Sequence, residues 1–368
     1  MDLNNTMVEQ YLDYIISLRR RFHKNPELAN QEKFTQKEIL KILRKEKIDI
    51  RTVGTGIIAR MNFKKQKTLA FRCDMDALPI LEKNSISFKS VNQNMHACGH
   101  DGHMAILLTF IKWVLKNKEK INYNLVFIFQ PAEESSGGAN MMIDTGALEC
   151  VDEIYAIHLN PEIDAGIFGV KSGLLMAGVA EFDIDFKGVS CHAADYKKGI
   201  DANKAAVEFL NDIIMPSNLK DKVIIHCGKI KGGFARNVVS NFCKLECTAR
   251  YFDLKDKTEL FEYIKKRLSI VNKKMNTTSK INIITEYVPL INDDTCVKKI
   301  RKFAKCIDTE RKFAAEDFAF YLKRVNGALV WLGVKDKNHF APLHSDTFNF
   351  DEKHLLSGVK LYIDLAIN

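Results

Sequence analysis

Cys98 and His100 stand two positions apart in the stretch His96-Ala-Cys-Gly-His-Asp101, with Gly99 between them to allow a turn. A thiol and an imidazole so placed are good ligands for a borderline-soft divalent metal. More donors follow: the pair Glu133-Glu134, then His158, then His344. Cys98, His100, Glu134, His158 and His344 together are enough for two metal ions that share one of them. Side chains of adjacent residues in extended chain point to opposite faces. Both glutamates therefore converge only if Pro131-Ala132 turns the backbone. If they do, the chemistry divides: one carboxylate binds metal, and the other takes a proton from water acidified by that metal. Each residue alone has an ordinary explanation, a core histidine or a solvated loop carboxylate. Their joint placement at successive strand ends does not. Mixed sulfur, nitrogen and oxygen donors leave zinc, manganese, cobalt and nickel all open.

The elements that must carry these residues alternate in type. Tyr11–Phe22 is apolar at helical spacing and stops at Asn25-Pro26; Glu32–Glu46 is a second amphipathic helix. Thr68–Cys73, Asn124–Gln130 and Glu153–Leu159 read as strands, and Asp101–Lys116 as a buried helix. Near the end come a helix at Asp317–Arg324, a strand at Ala328–Val334 and a helix at Glu352–Ile367. This alternation predicts an α/β fold, a mainly parallel sheet with flanking helices. In such sheets ligands gather beyond the carboxyl ends of the strands. The candidates obey that rule: Asp74 and Asp76 follow the first strand, Glu133 and Glu134 the second, His158 closes the third, and His344 follows the last.

The middle of the chain differs. Val179–Lys187, Lys222–Ile230, Asn241–Phe252 and Ile281–Tyr287 read as strands, with helices at Asp201–Ile214 and Lys257–Asn272. The order β-α-β-β-α-β is ferredoxin-like. It predicts an inserted α+β domain over residues 178–288 within a discontinuous domain of residues 1–177 and 289–368. A chain of 368 residues is long enough for two cores. Nine cysteines without regular spacing make a poor disulfide framework; Cys243 and Cys247 read as core. Met1–Gln10 lacks the basic and apolar regions of a signal peptide. The longest apolar run, near Met104–Leu115, is broken by Lys112 and too short for a bilayer. The expectation is a cytoplasmic protein without membrane association. The net charge of +9 is spread without an aromatic-interleaved basic patch, so no nucleic-acid partner is expected. A positive field favours anionic substrates.

Three blocks, Arg72-Cys-Asp-Met-Asp-Ala-Leu-Pro79, Met95-His-Ala-Cys-Gly-His-Asp-Gly-His103 and Gln130-Pro-Ala-Glu-Glu134, resemble signatures of the M20 metallopeptidase family. They are similar to its aminoacylase, or amidohydrolase, branch. His23-Lys-Asn-Pro-Glu-Leu28, Glu316-Asp-Phe-Ala-Phe320 and Leu343-His344 extend the resemblance over nearly the whole chain. It implies a metal-dependent exopeptidase-like catalytic domain with an inserted lid or dimerisation domain. It implies one or two divalent ions on Cys98, His100, Glu134, His158 and His344, with Glu133 as general acid and base. Asp74 and Asp76 would support the centre, one of them orienting a ligand or the base. Gly188-Val-Ser-Cys-His-Ala-Ala194 resembles the insert motif whose histidine, here His192, polarises the scissile carbonyl. In relatives that histidine can come from the partner of a homodimer. Asn237 and Arg250 resemble positions near the substrate carboxylate.

The activity so implied is cleavage of the amide bond of a small N-acyl amino acid. Lys171-Ser-Gly-Leu-Leu-Met-Ala177 points within the branch to N-acetyl-L,L-diaminopimelate and lysine biosynthesis. A hippurate hydrolase-like or broad N-acyl-amino-acid hydrolase or dipeptidase is the alternative. The chain departs from the family at Asp195-Tyr196-Lys197 and at Val239-Ser240-Asn241, which bears on the substrate rather than the metal chemistry. A metal-binding regulator or scaffold without catalysis is the rival from another class. It has no use for Glu133 beside Glu134.

Overall fold

The computed structural model describes residues 6–46, 48–135, 137–213 and 218–368. Its strands begin with β1 (Asp49–Val53), β2 (Gly56–Met61), β3 (Thr68–Asp74), β4 (Asn124–Gln130), β5 (Glu153–Asp164), β6 (Phe168–Val170) and β7 (Gly173–Met176). They continue with β8 (Gly178–Lys187), β9 (Val223–Gly232), β10 (Phe242–Tyr251), β11 (Thr278–Tyr287), β12 (Leu290–Asn292), β13 (Cys306–Asp308) and β14 (Asn326–Lys335). The helices are α1 (Thr6–Glu9), α2 (Leu12–Lys24), α3 (Lys33–Leu43), α4 (His100–Lys116), α5 (Ala139–Asp144), α6 (Ala202–Asp212), α7 (Leu254–Met275), α8 (Asp294–Phe303), α9 (Ala319–Leu322) and α10 (Leu355–Ile367). Met1–Gly173, Ile291–Glu310 and Asp317–Asn368 form one compact unit, and Leu174–Leu290 with Arg311–Glu316 form another.

The first unit is built on an eight-stranded sheet in the order β1-β2-β4-β3-β5-β14-β6-β13. Its centre, β4-β3-β5-β14, is parallel, and β1, β2 and β6 pair antiparallel with their inner neighbours. Every residue of β3 is buried, as expected of a strand covered on both faces. Phe71 of β3 meets Phe110 of α4 at 4.9 Å and Tyr362 of α10 at 4.7 Å between ring centroids. Fully burying such a ring is worth about 1.5–3 kcal/mol, and here it ties two helices to one strand. α4 is buried along almost its whole length, which explains its lack of a polar face.

Several elements differ from expectation. β5 continues beyond Leu159 to Asp164, so His158 lies within the strand rather than closing it. The expected helix at 317–324 shrinks to Ala319–Leu322 because Asp317 is fully buried and its carboxylate is committed to tertiary partners. β1 and β2 were not expected; β1 is mostly exposed and mixed in polarity, so its pattern carries no strand signal.

The second unit follows the order β8-α6-β9-β10-α7-β11, with sheet order β11-β8-β10-β9 and every pairing antiparallel. β10 alternates strictly between buried and half-buried residues, placing Cys243 and Cys247 in the core with Phe209, Phe261 and Leu268. Asp201 caps α6 by accepting from Asn203 and Lys204 N–H, and Asp253 caps α7 by accepting from Lys255 N–H. α6 is described to Asp212; its expected end at Ile214 lies outside the described residues. Among the described residues no helix is long and apolar enough to cross a membrane.

A dry ionic cluster joins α2 to α4. Arg19 Nε donates to Asp101 Oδ2 at 2.9 Å, and His23 bridges Asp101 (2.7 Å) and Glu82 (3.0 Å) with its two ring nitrogens. Burial would raise both carboxyls. Arg19 and His23 outweigh it at Asp101, His23 and the Ser90 N–H outweigh it at Glu82, and both titrate below their ordinary range. Burial and Arg19 oppose charge on His23, but Asp101 and Glu82 overcome both and raise it. Removing one partner strands a buried charge, at about 3–5 kcal/mol. Arg19→Met should lose that much stability to urea at neutral pH. Carboxyls depressed in the folded state stabilise it above their unfolded values and stop doing so as pH falls through the folded ones. The gap between wild type and variant should therefore narrow below about pH 4. An unchanged gap in acid would show that Asp101 and Glu82 do not carry it.

Candidate metal centre

The strand ends and following turns bring the expected donors together in the first unit. Cys98 Sγ lies 3.5 Å from His158 Nε2 and 3.3 Å from His344 Nε2. His344 Nε2 is 3.3 Å from Glu134 Oε1, and His100 Nε2 is 3.8 Å from the same oxygen. Glu133 joins this group: its carboxylate, that of Glu134 and the His100 ring offer donor atoms within 4.8 Å of one another. Tetrahedral ligands at metal distances of about 2.0–2.3 Å stand roughly 3.3–3.7 Å apart, so the donors are spaced as a coordination shell requires.

Local backbone explains the convergence. Ala132 adopts a left-handed conformation, φ 59°, and this turns Glu133 and Glu134 toward one site. The Asp76 carboxylate then accepts from both Glu133 N–H (3.1 Å) and Glu134 N–H (2.9 Å), stapling the turn. His344 is also left-handed, φ 65°, and its N–H donates to Ala97 O at 2.9 Å beside Cys98. Left-handed backbone costs a non-glycine residue about 1–2 kcal/mol. Such strain concentrates at functional sites.

Hydrogen bonds set the tautomers that ligation needs. His100 Nδ1 donates to Asp76 O at 2.8 Å, and His158 Nδ1 donates to Leu159 O at 2.8 Å. Both leave Nε2 as the lone-pair nitrogen facing the cluster. His100 Nε2 and Glu134 Oε1 are buried with no hydrogen-bond partner. Such atoms, aimed at one point from mixed donor types, fit a bound divalent cation.

Without an ion the carboxylates favour a proton on His100: burial opposes its charge, but Asp74, Asp76 and Glu134 push it up to about 10, so an ion bound at Nε2 would displace that proton. Burial would raise Glu134, yet His344 and His100 hold it at about 2. Burial and His103 lower His158 to about 3, keeping it neutral. Burial, Glu134 and Glu133 push the Cys98 thiol up. A bound cation reverses this last effect, since a coordinating thiol is deprotonated outright. A groove of about 590 Å³ lies among Arg60, Thr68, Lys118 and Asn124 at the amino ends of β3 and β4, away from these donors.

Behind the donors sits a buried network that sequence reasoning missed. Arg72 donates to Gln130 Oε1 (3.0 Å), Asp74 Oδ2 (2.8 Å) and Asp317 Oδ1 (2.8 Å). Asp317 also accepts from Gln130 Nε2 at 2.7 Å and Ala139 N–H at 3.0 Å. An arginine within an otherwise apolar strand was the available signal. His103 was missed too; its signal was the i,i+3 spacing from His100.

The remaining expected residues lie in the second unit. His192 bridges backbone with Val238, and Ala193 N–H donates to Asn237 O at 2.9 Å, so His192 and Asn237 are neighbours. Arg250 is not with them. It is half-buried near the far end of β10, opposite Val179 and Ile224, and burial lowers it. Arg250 stands eight positions after Phe242, roughly 27 Å along the strand.

A sheet end bearing these donors, with a second carboxylate beside them, belongs to a metal-dependent hydrolase acting on amides. Residues 70–368 match peptidase family M20/M25/M40, and the chain belongs to that family. It is 35% identical over 371 residues to the N-acetyldiaminopimelate deacetylase of Lactobacillus acidophilus, covering 94% of this chain and 95% of that one. The enzyme of that name from Lactobacillus helveticus is 33% identical over 378 residues, covering 96% and 97%. A dinuclear metal-binding peptidase of the M20 family from Bacillus subtilis shares the fold with a TM-score of 0.84, 29% identity and 98% of each chain covered.

Asp76 offers a test of the staple. Asp76→Ala should weaken divalent-metal affinity by about 10–100-fold, the usual cost of removing a residue that orients ligands, in competition with a chromophoric chelator. Unchanged affinity would remove Asp76 from the support of the centre.

Proposed function

We propose that this chain is an N-acyl-amino-acid amidohydrolase and that N-acetyl-L,L-diaminopimelate is its substrate, which places it in lysine biosynthesis. The convergence of Glu133 and Glu134 with Cys98, His100, His158 and His344 carries the hydrolytic part of this reading. The Lactobacillus relatives named for that deacetylase support the substrate.

Cys98, His100, Glu134, His158 and His344 would hold one or two divalent ions. Bound there, such ions acidify water and polarise an amide carbonyl. Glu133 takes the proton of the attacking water and delivers it to the leaving amine nitrogen. Asp76 holds the Glu133-Glu134 turn and the His100 ring, and Asp74 supports them from β3. His192 donates to the oxyanion of the tetrahedral intermediate. Asn237 and Arg250 recognise the substrate's carboxylates. The products are acetate and a free amino acid.

The wide separation of Arg250 from His192 and Asn237 favours a homodimer, since one small substrate cannot reach both ends of β10 within a single chain. Nine cysteines, all unpaired, suit a reducing cytoplasm.

Amine release from N-acetyl-L,L-diaminopimelate and from hippurate tests both parts. Wild type reconstituted with Mn²⁺ or Zn²⁺ should turn over the first substrate in preference. Glu133→Ala should lose about 10²–10⁴-fold in kcat while keeping its metal. Preference for hippurate would move the substrate to the broader N-acyl class. A Glu133→Ala variant as active as wild type would remove Glu133 as the base.

A further inference from the structure

β3 and β5 pair only from Leu69↔Glu153 to Arg72↔Ala156. Continued in register, the ladder would set Asp74 opposite His158, but the strands part before that point. Their other edges stay paired: β3 to β4 as far as Asp74↔Gln130, and β5 to β14 past His158. The facing edges therefore lose their ladder where the metal donors stand, and buried backbone groups left that way carry a desolvation cost unless something meets them.

Two imidazoles meet them. Leu159 N–H donates to His103 Nε2 at 2.9 Å, and Leu159 O accepts from His158 Nδ1 at 2.8 Å. An amide N–H can only donate, so His103 Nε2 must accept and the ring proton sits on Nδ1. That Nδ1 lies 2.6 Å from Asp74 Oδ1 and donates to it. The His103 ring is buried, 4.7 Å from the His158 ring and 5.4 Å from the His100 ring between centroids. Although Asp74, His100 and His103 converge closely enough to suggest a metal group, both His103 nitrogens are already committed. That excludes His103 as a ligand without rearrangement.

We propose that His103 is a positioning residue of the metal centre, an imidazole wedge that spans the gap between Asp74 and the Leu159 peptide and thereby fixes the aim of His158 Nε2. The chain of contacts is continuous: Arg72 holds Asp74, Asp74 holds His103, His103 holds the Leu159 N–H, and the Leu159 carbonyl holds His158. The proposal rests on His158 being a metal ligand, so its test must separate the two ideas.

Cobalt serves as the probe, because its visible absorption reports the ligand set and its affinity can be measured by competition. The whole chain is loaded as wild type, His103→Ala and His103→Asn. Asparagine can keep a donor toward Asp74 but cannot also reach Leu159. Both variants should bind the ion at the Cys98 and His158 position about 10–100-fold more weakly than wild type, with a changed cobalt spectrum. With acyl substrate, kcat should fall while KM stays near the wild-type value. Wild-type affinity and an unchanged spectrum in the variants would overturn the proposal, whatever their melting temperatures. If His103→Ala does not fold, His103→Asn carries the same reading. A His158→Ala variant that binds cobalt like wild type would instead overturn the ligand assignment beneath it.

Discussion

Charge balance in a dry sheet end is the constraint on which the rest of the molecule depends. Asp74, Asp76, Asp101, Glu133 and Asp317 are all buried at or behind the carboxyl ends of the central strands. Isolated carboxylates cannot remain ionised there. The chain supplies some cations itself: Arg19 and His23 at Asp101, and Arg72 at Asp74 and Asp317. These pairs reach across the sequence, by 82 residues from Arg19 to Asp101 and by 245 from Arg72 to Asp317. Forming such a pair contributes little net stability, but breaking one costs about 3–5 kcal/mol, against a total of about 5–15 for a domain. The buried arginines thus act chiefly as constraints on which arrangement is tolerated. Around Glu134 the partners are imidazoles instead: against burial, His344 and His100 hold its carboxyl at about 2, the positive charge a bound divalent ion would supply in their place.

The same region shows how backbone accounting shapes chemistry. A parallel sheet must open somewhere to admit ligands, and opening exposes peptide groups. The opening between β3 and β5 is closed by imidazoles. Left-handed backbone at Ala132 and His344 adds strain at the two loops that complete the donor set. That strain is tolerated because Asp76 holds the first loop and the Ala97 carbonyl the second.

Much of this was legible in the residues. β3 and β4 are continuous apolar runs bounded by turns, and the Cys98 and Glu133 blocks carry donors at spacings with few other uses. What was not legible depends on tertiary context. The burial of Arg72 is invisible without the side chains that surround it. β1 has no pattern because it is mostly exposed, and β5 outruns its apolar stretch because pairing with β14 resumes at Asp164↔Lys335 after an irregularity that follows Asn160↔Gly333. The helix expected at 317–324 shortened because local propensity yielded to the long-range demands on Asp317. His103 drew no role from the sequence, because the partners of its two nitrogens, Asp74 and the Leu159 N–H, meet it only where two strands part.

The second unit places a different kind of limit on the chemistry. Its β-α-β-β-α-β core, with both helices on one face, leaves the opposite face of the sheet polar. Asp183, Asp185 and Lys244 pair there. His192 and Asn237 lie next to each other before β10 begins, whereas Arg250 lies at its far end, roughly 27 Å along the strand. Even a fully extended arginine spans only a fraction of that distance. A molecule the size of an acyl amino acid therefore does not touch Arg250 and His192 of one chain at once.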